Sequence, residues 1–417
     1  MKGHHSKIRT GLIAALDVGS TKLCCFVARA NAADDIRVIG IGHQMSKGVR
    51  SGAVVDMDAA EISIRNAVHT AEEMAGETIE TVVVNVSCGN PASRTIGVEV
   101  AINGYEIADD DIDRVWRQAY QHAASSDREL LHMFSVGYAL DGTRVADPRG
   151  MYGDRLGANM HIITANPSAV RNLESCIARC HLEIDTKVVS AYASGLSTLV
   201  GDETNLGVTL IDMGGGTTSI AVFSGGEAIY TDTIPIGGGH VTNDIARGLS
   251  TPIAAAERIK TLYGSATPSP SDSREFIDVP QIGEREPTQA HHVPKSILVG
   301  IIQPRLEETF ELVRARLEAS GFDRIAGRRV VLTGGASQLP GVGELATLVL
   351  DKQVRLGRPT RVSGIAEATG GPAFATCAGL LIHAVTNPDA LADRLSAPAR
   401  NGNGLVGRLG LWLRDNF

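Results

Sequence analysis

Asp17-Val18-Gly19-Ser20-Thr21-Lys22 and Asp212-Met213-Gly214-Gly215-Gly216-Thr217-Thr218 each end an apolar run in aspartate, pass through glycine and hydroxyl residues, and resume as an alternating apolar strand. Glycine lets a backbone approach a phosphate and take up positive φ, so that successive amides point at its oxygens. Ser20, Thr21, Thr217 and Thr218 add hydroxyl donors and Lys22 adds a positive charge. Asp17 and Asp212 suit a magnesium ion, which takes one or two carboxylates from a protein and keeps several waters. The ligand implied is a nucleotide with Mg2+. One Asp-x-Gly turn alone is as readily a plain hairpin. Two of them, spaced by about a domain, read as a duplicated fold that closes on one polyphosphate from both sides.

A third piece follows at Arg329-Val330-Val331-Leu332-Thr333-Gly334-Gly335-Ala336-Ser337, a strand running into a Gly-Gly turn that leaves a flat backbone shelf for a purine. These three turns resemble the phosphate 1, phosphate 2 and adenosine motifs of the actin, Hsp70 and sugar-kinase superfold, whose two βββαβα halves clamp ATP between them. Other glycine motifs are set aside. Gly341-Val342-Gly343-Glu344-Leu345-Ala346 fits a dinucleotide fingerprint only formally, because Pro340 and not a strand precedes it. Gly19-Ser20-Thr21-Lys22 lacks the Gly-Lys-Ser/Thr ending of a Walker A loop.

The turns need strands to end on them. The pattern predicts strands over Ile13 to Asp17, Leu23 to Ala28 and Ile36 to His43, then a helix of about 18 residues from Ala59 with Asp58 as its N-cap. Val82 to Val86 is a further strand. An insert follows over 87–165, with a strand at Arg94 to Val100, a helix from the acidic start Asp109-Asp110-Asp111 to His122, and strands around His132 to Tyr138 and His161 to Thr164. A helix from Pro167 to Cys180, a strand from Thr186 to Val189 and a helix from Ala191 to Val200 complete the first half. The segment from Ser265 to Pro294, rich in Pro, Ser and charge, reads as a surface loop or hairpin, and a long helix runs from Pro304 to Ser320.

With the insert placed there, Ser135-Val136-Gly137-Tyr138-Ala139-Leu140-Asp141-Gly142, Pro235-Ile236-Gly237-Gly238-Gly239-His240-Val241-Thr242 and Ala256-Glu257-Arg258-Ile259-Lys260 are similar to the FtsA family of bacterial cell-division proteins. The resemblance spans about 11–385 and the extreme C-terminus. It implies an ATP-binding, actin-like protein that forms membrane-attached filaments and ties FtsZ to the cytoplasmic face of the inner cell membrane at the division site. It also implies that Glu257 and Lys260 flank adenosine, that Gly334, Gly335 and Ser337 contact it, and that Gly238 and Gly239 complete the phosphate cradle. By the same resemblance the halves comprise 11–86 with 166–203 and 365–385, and 204–241 with 296–364. A small subdomain at 242–295 docks the FtsZ C-terminal peptide, with Arg285 a candidate contact, and the insert receives later division proteins.

Hydrolysing relatives in the superfold place a carboxylate or amide at the first connecting helix to orient water, where this chain has Val188-Val189-Ser190-Ala191-Tyr192. The expectation is at most a weak ATPase, with nucleotide acting as a structural switch. A small-molecule kinase of the same superfold would need a carboxylate base beyond Asp17 and Asp212. A pilus-assembly adaptor of the same fold is the other competing reading.

After an N-terminal tail over 1–10, composition is ordinary for a folded protein: 417 residues, 43% hydrophobic, 21% charged. The net charge of -8 and the lack of a Lys/Arg cluster argue against a nucleic-acid partner. No secretory signal or span of about 20 apolar residues is present. Six cysteines suggest no disulfide framework and a reducing cytoplasm; Cys24, Cys25, Cys88 and Cys377 fall in core patterns, and Cys176, Cys180 and His181 lack a second ligand pair for metal. A linker over 386–404, with a flexible reach of roughly 25 Å, leads to 405–417. There Leu405, Leu409, Trp412 and Leu413 form one helical stripe with Val406 and Phe417 beside it, and Arg408, Arg414 and Asp415 lie elsewhere. Alone, such a stripe packs as readily on its own domain or in a partner groove; the preceding tether and the resemblance imply instead a helix lying in a membrane interface, with lipid as its partner.

Overall fold

The run Gly11–Val18 (β1) is apolar on both faces, which fits a strand in the middle of a covered sheet, and its last six residues are buried. The computed structural model describes residues 9–124, 126–283 and 291–386. β1 pairs antiparallel with β2 (Lys22–Ala32), which pairs with β3 (Asp35–Met45). A small hairpin, β4 (Val49–Arg50) and β5 (Ala53–Val54), leads into α1 (Met57–Ala75) and then β6 (Thr81–Val86), parallel to β1. The N-cap of α1 is Asp56 and not Asp58. The Asp56 carboxylate accepts from Ala59 N, and Asp58 falls in the first turn, where its charge meets the Arg179 guanidinium.

The insert holds β7 (Ala92–Ala101), α2 (Asp109–Ala124), β8 (Glu129–Leu140), β9 (Thr143–Val145) and β10 (Arg155–Ala165), in a four-stranded sheet ordered β7-β10-β8-β9. Its own core packs Ile112, Val115 and Trp116 of α2 against Met160 and Ile162. The chain returns through α3 (Pro167–Arg179), β11 (Glu183–Val189), α4 (Ser190–Thr198) and α5 (Gly201–Leu206).

The second half runs β12 (Val208–Met213), β13 (Thr218–Ser224), β14 (Glu227–Ile234), α6 (Gly238–Gly248) and α7 (Ile253–Tyr263). A hairpin of β15 (Phe276–Val279) and β16 (His291–Pro294) follows, then α8 (Lys295–Ser320), β17 (Arg329–Thr333), a 3-10 turn (Gly335–Gln338), α9 (Val342–Leu350) and β18 (Gln353–Leu356). α10 (Ala375–Thr386) crosses back to the first half. The sheets β3-β2-β1-β6-β11 and β14-β13-β12-β17-β18 have the same order, with the last three strands of each mutually parallel. This is the expected α/β duplication of the actin-like superfold, with the insert in the first half.

α4 and α10 lie between the two sheets, in one core with Ile13, Phe26 and Val83 on one side and Leu210, Phe223 and Val331 on the other. Their backbones touch, since a β-carbon on Gly379 would overlap the Ala193 carbonyl oxygen.

Two further expectations change. Pro304 lies inside α8 and does not start it: Leu298, Val299 and Ile302 before it and Leu306 and Phe310 after it are all buried, so packing overrides the break that proline favours. The 265–294 segment is not wholly superficial, because alternate residues Ile277 and Val279 of β15 insert into the second half's core. The tail from 387, with Leu405, Val406, Leu409, Trp412, Leu413 and Phe417, lies outside the described residues, as does Arg285.

The insert, which interrupts the first half, also touches the second. Ser93 Oγ donates to Thr231 O and accepts from Thr231 N, both at 2.8 Å, and His161 Nδ1 lies 2.8 Å from Ala228 O. His132 accepts the N–H of Val189 at 3.0 Å; its ring stacks on Phe134, which Tyr192 meets at a tilt, and His383 stands edge-on to His132 and Tyr192 where the insert meets the first half.

Candidate nucleotide site

Ligands of open α/β sheets collect beyond the carboxyl ends of parallel strands. Here Asp17, Asn85 and Ser190 lie within one residue of the carboxyl ends of β1, β6 and β11, and Asp212 and Gly334 within one residue of those of β12 and β17, around a cleft of about 460 Å3. Of the residues expected from sequence, Asp17, Gly19, Ser20, Thr21 and Lys22 line it from the first half. Asp212, Gly214, Gly215, Gly216, Thr217, Gly238, Gly239, Glu257, Lys260, Gly334 and Gly335 line it from the second. Thr218 and Ser337 are not in the lining: the Thr218 hydroxyl donates to Ile236 O at 2.8 Å and that of Ser337 to Gly334 O at 2.7 Å, each bracing a turn from behind.

The two phosphate-type turns meet face to face. A β-carbon on Gly215 would fall on the Thr21 side chain and one on Gly216 on that of Ser20, so glycine is required for this approach. Ser20 Oγ accepts from Gly52 N at 2.8 Å, which closes the β4–β5 hairpin over the first turn. Gly238 N donates to Gly214 O at 2.9 Å and Gly239 N to Gly215 O at 2.7 Å, so these two amides hold the second turn in shape. Lys260 Nζ donates to Gly238 O, Thr242 Oγ1 and Glu257 Oε2 at 3.1, 2.8 and 2.7 Å, fastening α7 to α6. The Lys22 ammonium donates to Ala373 O and sits 3.2 Å from the centre of the Phe374 ring.

Asp17 and Asp212 are both buried. Burial pushes the Asp17 carboxyl up to about 7, opposed by Lys22 and assisted by the charge of Asp212. Burial also raises Asp212, opposed by the hydroxyls of Ser194 and Thr376 and by Lys22. Two desolvated carboxylates with one lysine nearby fit a hard divalent cation, whose charge would offset their cost of ionisation.

Local motifs gave no sign of Ser194, Thr376, Asn85 or Ser190. Asn85 and Ser190 lie in the lining, as does Thr376, while Ser194 reaches Asp212 from α4. Asn85 Oδ1 accepts from Val18 N at 2.6 Å and Nδ2 donates to Ser190 Oγ at 3.2 Å. The one available signal was an asparagine in the otherwise apolar run Val82 to Val86.

A family model described as cell division protein FtsA matches residues 209–379, and one described as the SHS2 domain inserted in FtsA matches residues 89–164. The cell division protein FtsA of Agrobacterium fabrum is 44% identical over 426 residues, covering 99% of this chain and 96% of its own. That of Pseudomonas aeruginosa is 36% identical, covering 97% and 98%. Among solved structures, the PilM-PilN type IV pilus biogenesis complex is similar at a TM-score of 0.64 and 17% identity, covering 89% of this chain and 98% of that one. MreB5 of Spiroplasma citri bound to ADP is similar at a TM-score of 0.55 and 14% identity, covering 92% and 99%.

Proposed function

Since the chain belongs to the FtsA family of cell-division proteins, we propose that it is an actin-like adaptor that binds Mg-ATP between its halves, polymerises on the cytoplasmic membrane at the division site and holds FtsZ there. The observation that carries the nucleotide part is the pair of glycine turns facing across one cleft, each with a buried aspartate at its strand end. Backbone amides of the turns at Gly19 and Gly214–Gly216 receive the phosphates, with Ser20, Thr21 and Thr217 at their edges and Thr218 bracing the second turn from behind. Asp17 and Asp212 hold Mg2+, directly or through water. Gly334 and Gly335 form the shelf for the base, braced from behind by Ser337, and Glu257 and Lys260 flank it. That MreB5 structures bound to ADP and to AMPPNP share the fold supports a nucleotide between the halves.

Membrane attachment falls to the amphipathic stripe of 405–417 on its linker. No helix among the described residues is long and apolar enough to cross a membrane. Two arginines against one aspartate give a single tail little electrostatic pull, so attachment comes from many tails aligned by a filament. The FtsZ C-terminal peptide docks on 242–295, with Arg285 a candidate contact, and later division proteins meet the insert.

Co-sedimentation with acidic phospholipid vesicles and Mg-ATP tests this, comparing the full chain with a truncation ending at Asn403. Pelleting of the full chain alone is the expected result. If neither pellets, the tail is a packing helix and the adaptor reading falls.

A further inference from the structure

Asn85 is a buried polar side chain at the end of an apolar strand, 3% exposed, and such a group is costly unless its hydrogen bonds are made. Two of them are made, and they fix the amide at both ends: Oδ1 receives the N–H of Val18, and Nδ2 donates to Ser190 Oγ. The register pairs Leu16 with Val84 and Val188 with Asn85, so Asn85 is level with Asp17, and Ser190, two residues beyond Val188 at the start of α4, reaches Asn85 by its side chain. Ser190 accepts from Asn85, and its own hydroxyl proton has no acceptor among the described residues. One proton of the Asn85 amide also has no acceptor among the described residues. Both residues border the cleft. Reading along the chain finds no amide at the start of the connecting helix; the neighbouring strand delivers one to that spot.

We propose that Asn85, locked by Val18 and Ser190, positions the water that attacks the terminal phosphate of a bound nucleoside triphosphate. This rests on the nucleotide reading above. In the step, the water oxygen bonds to the terminal phosphorus and the bridging P–O bond breaks. The diphosphate leaves with that electron pair, and the water's proton passes to the released phosphate. An amide orients water and accepts no proton, so turnover is slow and is set by placement of the water.

The test uses the full chain and two readouts: affinity for a fluorescent non-hydrolysable triphosphate with Mg2+, and single-turnover phosphate release at saturating protein. Asn85→Ala is expected to slow release by roughly 10- to 100-fold and to leave affinity within about threefold. Ser190→Ala, which keeps the Asn85 bond to Val18, is expected to slow release by a smaller factor at unchanged affinity. If Asn85→Ala does not fold, Ser190→Ala decides by the same criteria. Release at the wild-type rate in the variants that fold, or a loss explained by weakened affinity alone, overturns the proposal. A wild-type chain that binds triphosphate and releases no phosphate above background also overturns it, while leaving the nucleotide reading intact. Absence of triphosphate binding sinks that reading and this one with it.

Discussion

Ser194 donates its hydroxyl to Asp212 Oδ2 across 2.5 Å, joining a helix of the first half to the carboxylate that closes the central strand of the second. Thr376 of α10 adds a bond of 3.1 Å to the same oxygen, and the two hydroxyls lie 2.9 Å apart. Removing one donor from a buried carboxylate costs about 1–3 kcal/mol. Ser194→Ala should therefore lower Tm in magnesium-free buffer, and the deficit should shrink with Mg-ATP, whose cation takes over part of the charge. An unchanged Tm would show that the bond contributes nothing.

Asp17 should make nucleotide affinity depend on pH. With its carboxyl pushed up to about 7, protons compete with a divalent cation as pH falls through neutrality. Mg-ATP affinity measured by titration calorimetry should drop between pH 8 and pH 6, by at most about tenfold per unit. Asp17→Asn should bind weakly with a flat profile. A flat wild-type profile would take Asp17 away from the cation.

Two glycine substitutions should have opposite effects. The Gly379 α-carbon rests against the Ala193 carbonyl in the crossing of α4 and α10, whereas a β-carbon at Gly343 in α9 meets open space. Gly379→Ala should destabilise by about 1–3 kcal/mol or more through overpacking. Gly343→Ala should stabilise by about 0.5–1 kcal/mol through helix propensity. Thermal melts of the two compare them directly.

Acid should weaken the junctions of the insert with both halves. Burial holds His161 and His383 down to about 4 and His132 well below its ordinary value, with His383 and His161 also lowering His132. Between about 6.5 and 4 the unfolded chain binds protons that the folded one refuses. Stability is therefore full above that window and falls as pH drops through it, by up to about 1.4 kcal/mol per unit for each histidine. Urea melts at pH 7.5 and 5 should show the loss, and His383→Phe should reduce its slope. An equal slope in the variant would remove His383 from the account.

The phosphate-type turns were legible because their chemistry is local: an aspartate, glycines and hydroxyls within seven residues announce themselves. Asn85 was not, because its meaning comes from strand register, which brings together positions 18, 85 and 190. Local signals also misplaced the start of α1, where both Asp56 and Asp58 are plausible caps and only the backbone decides, and the start of α8, where burial outweighs proline. In the 265–294 segment the polar composition masked the inward alternation of Ile277 and Val279. The duplicated order of the two sheets followed from the doubled turn, while the docking of the insert on β14 had no sequence signature.

That docking changes what the insert is mechanically. A plate riveted to both leaves of a hinge cannot ride with either leaf alone: when the leaves turn, its rivets must shear or the plate must tilt. Ser93 with Thr231 and His161 with Ala228 are the rivets on one leaf, and the chain itself, entering at β6 and leaving at α3, is the fastening on the other. Any rotation between the halves therefore has to strain those two contacts before the insert can follow either side.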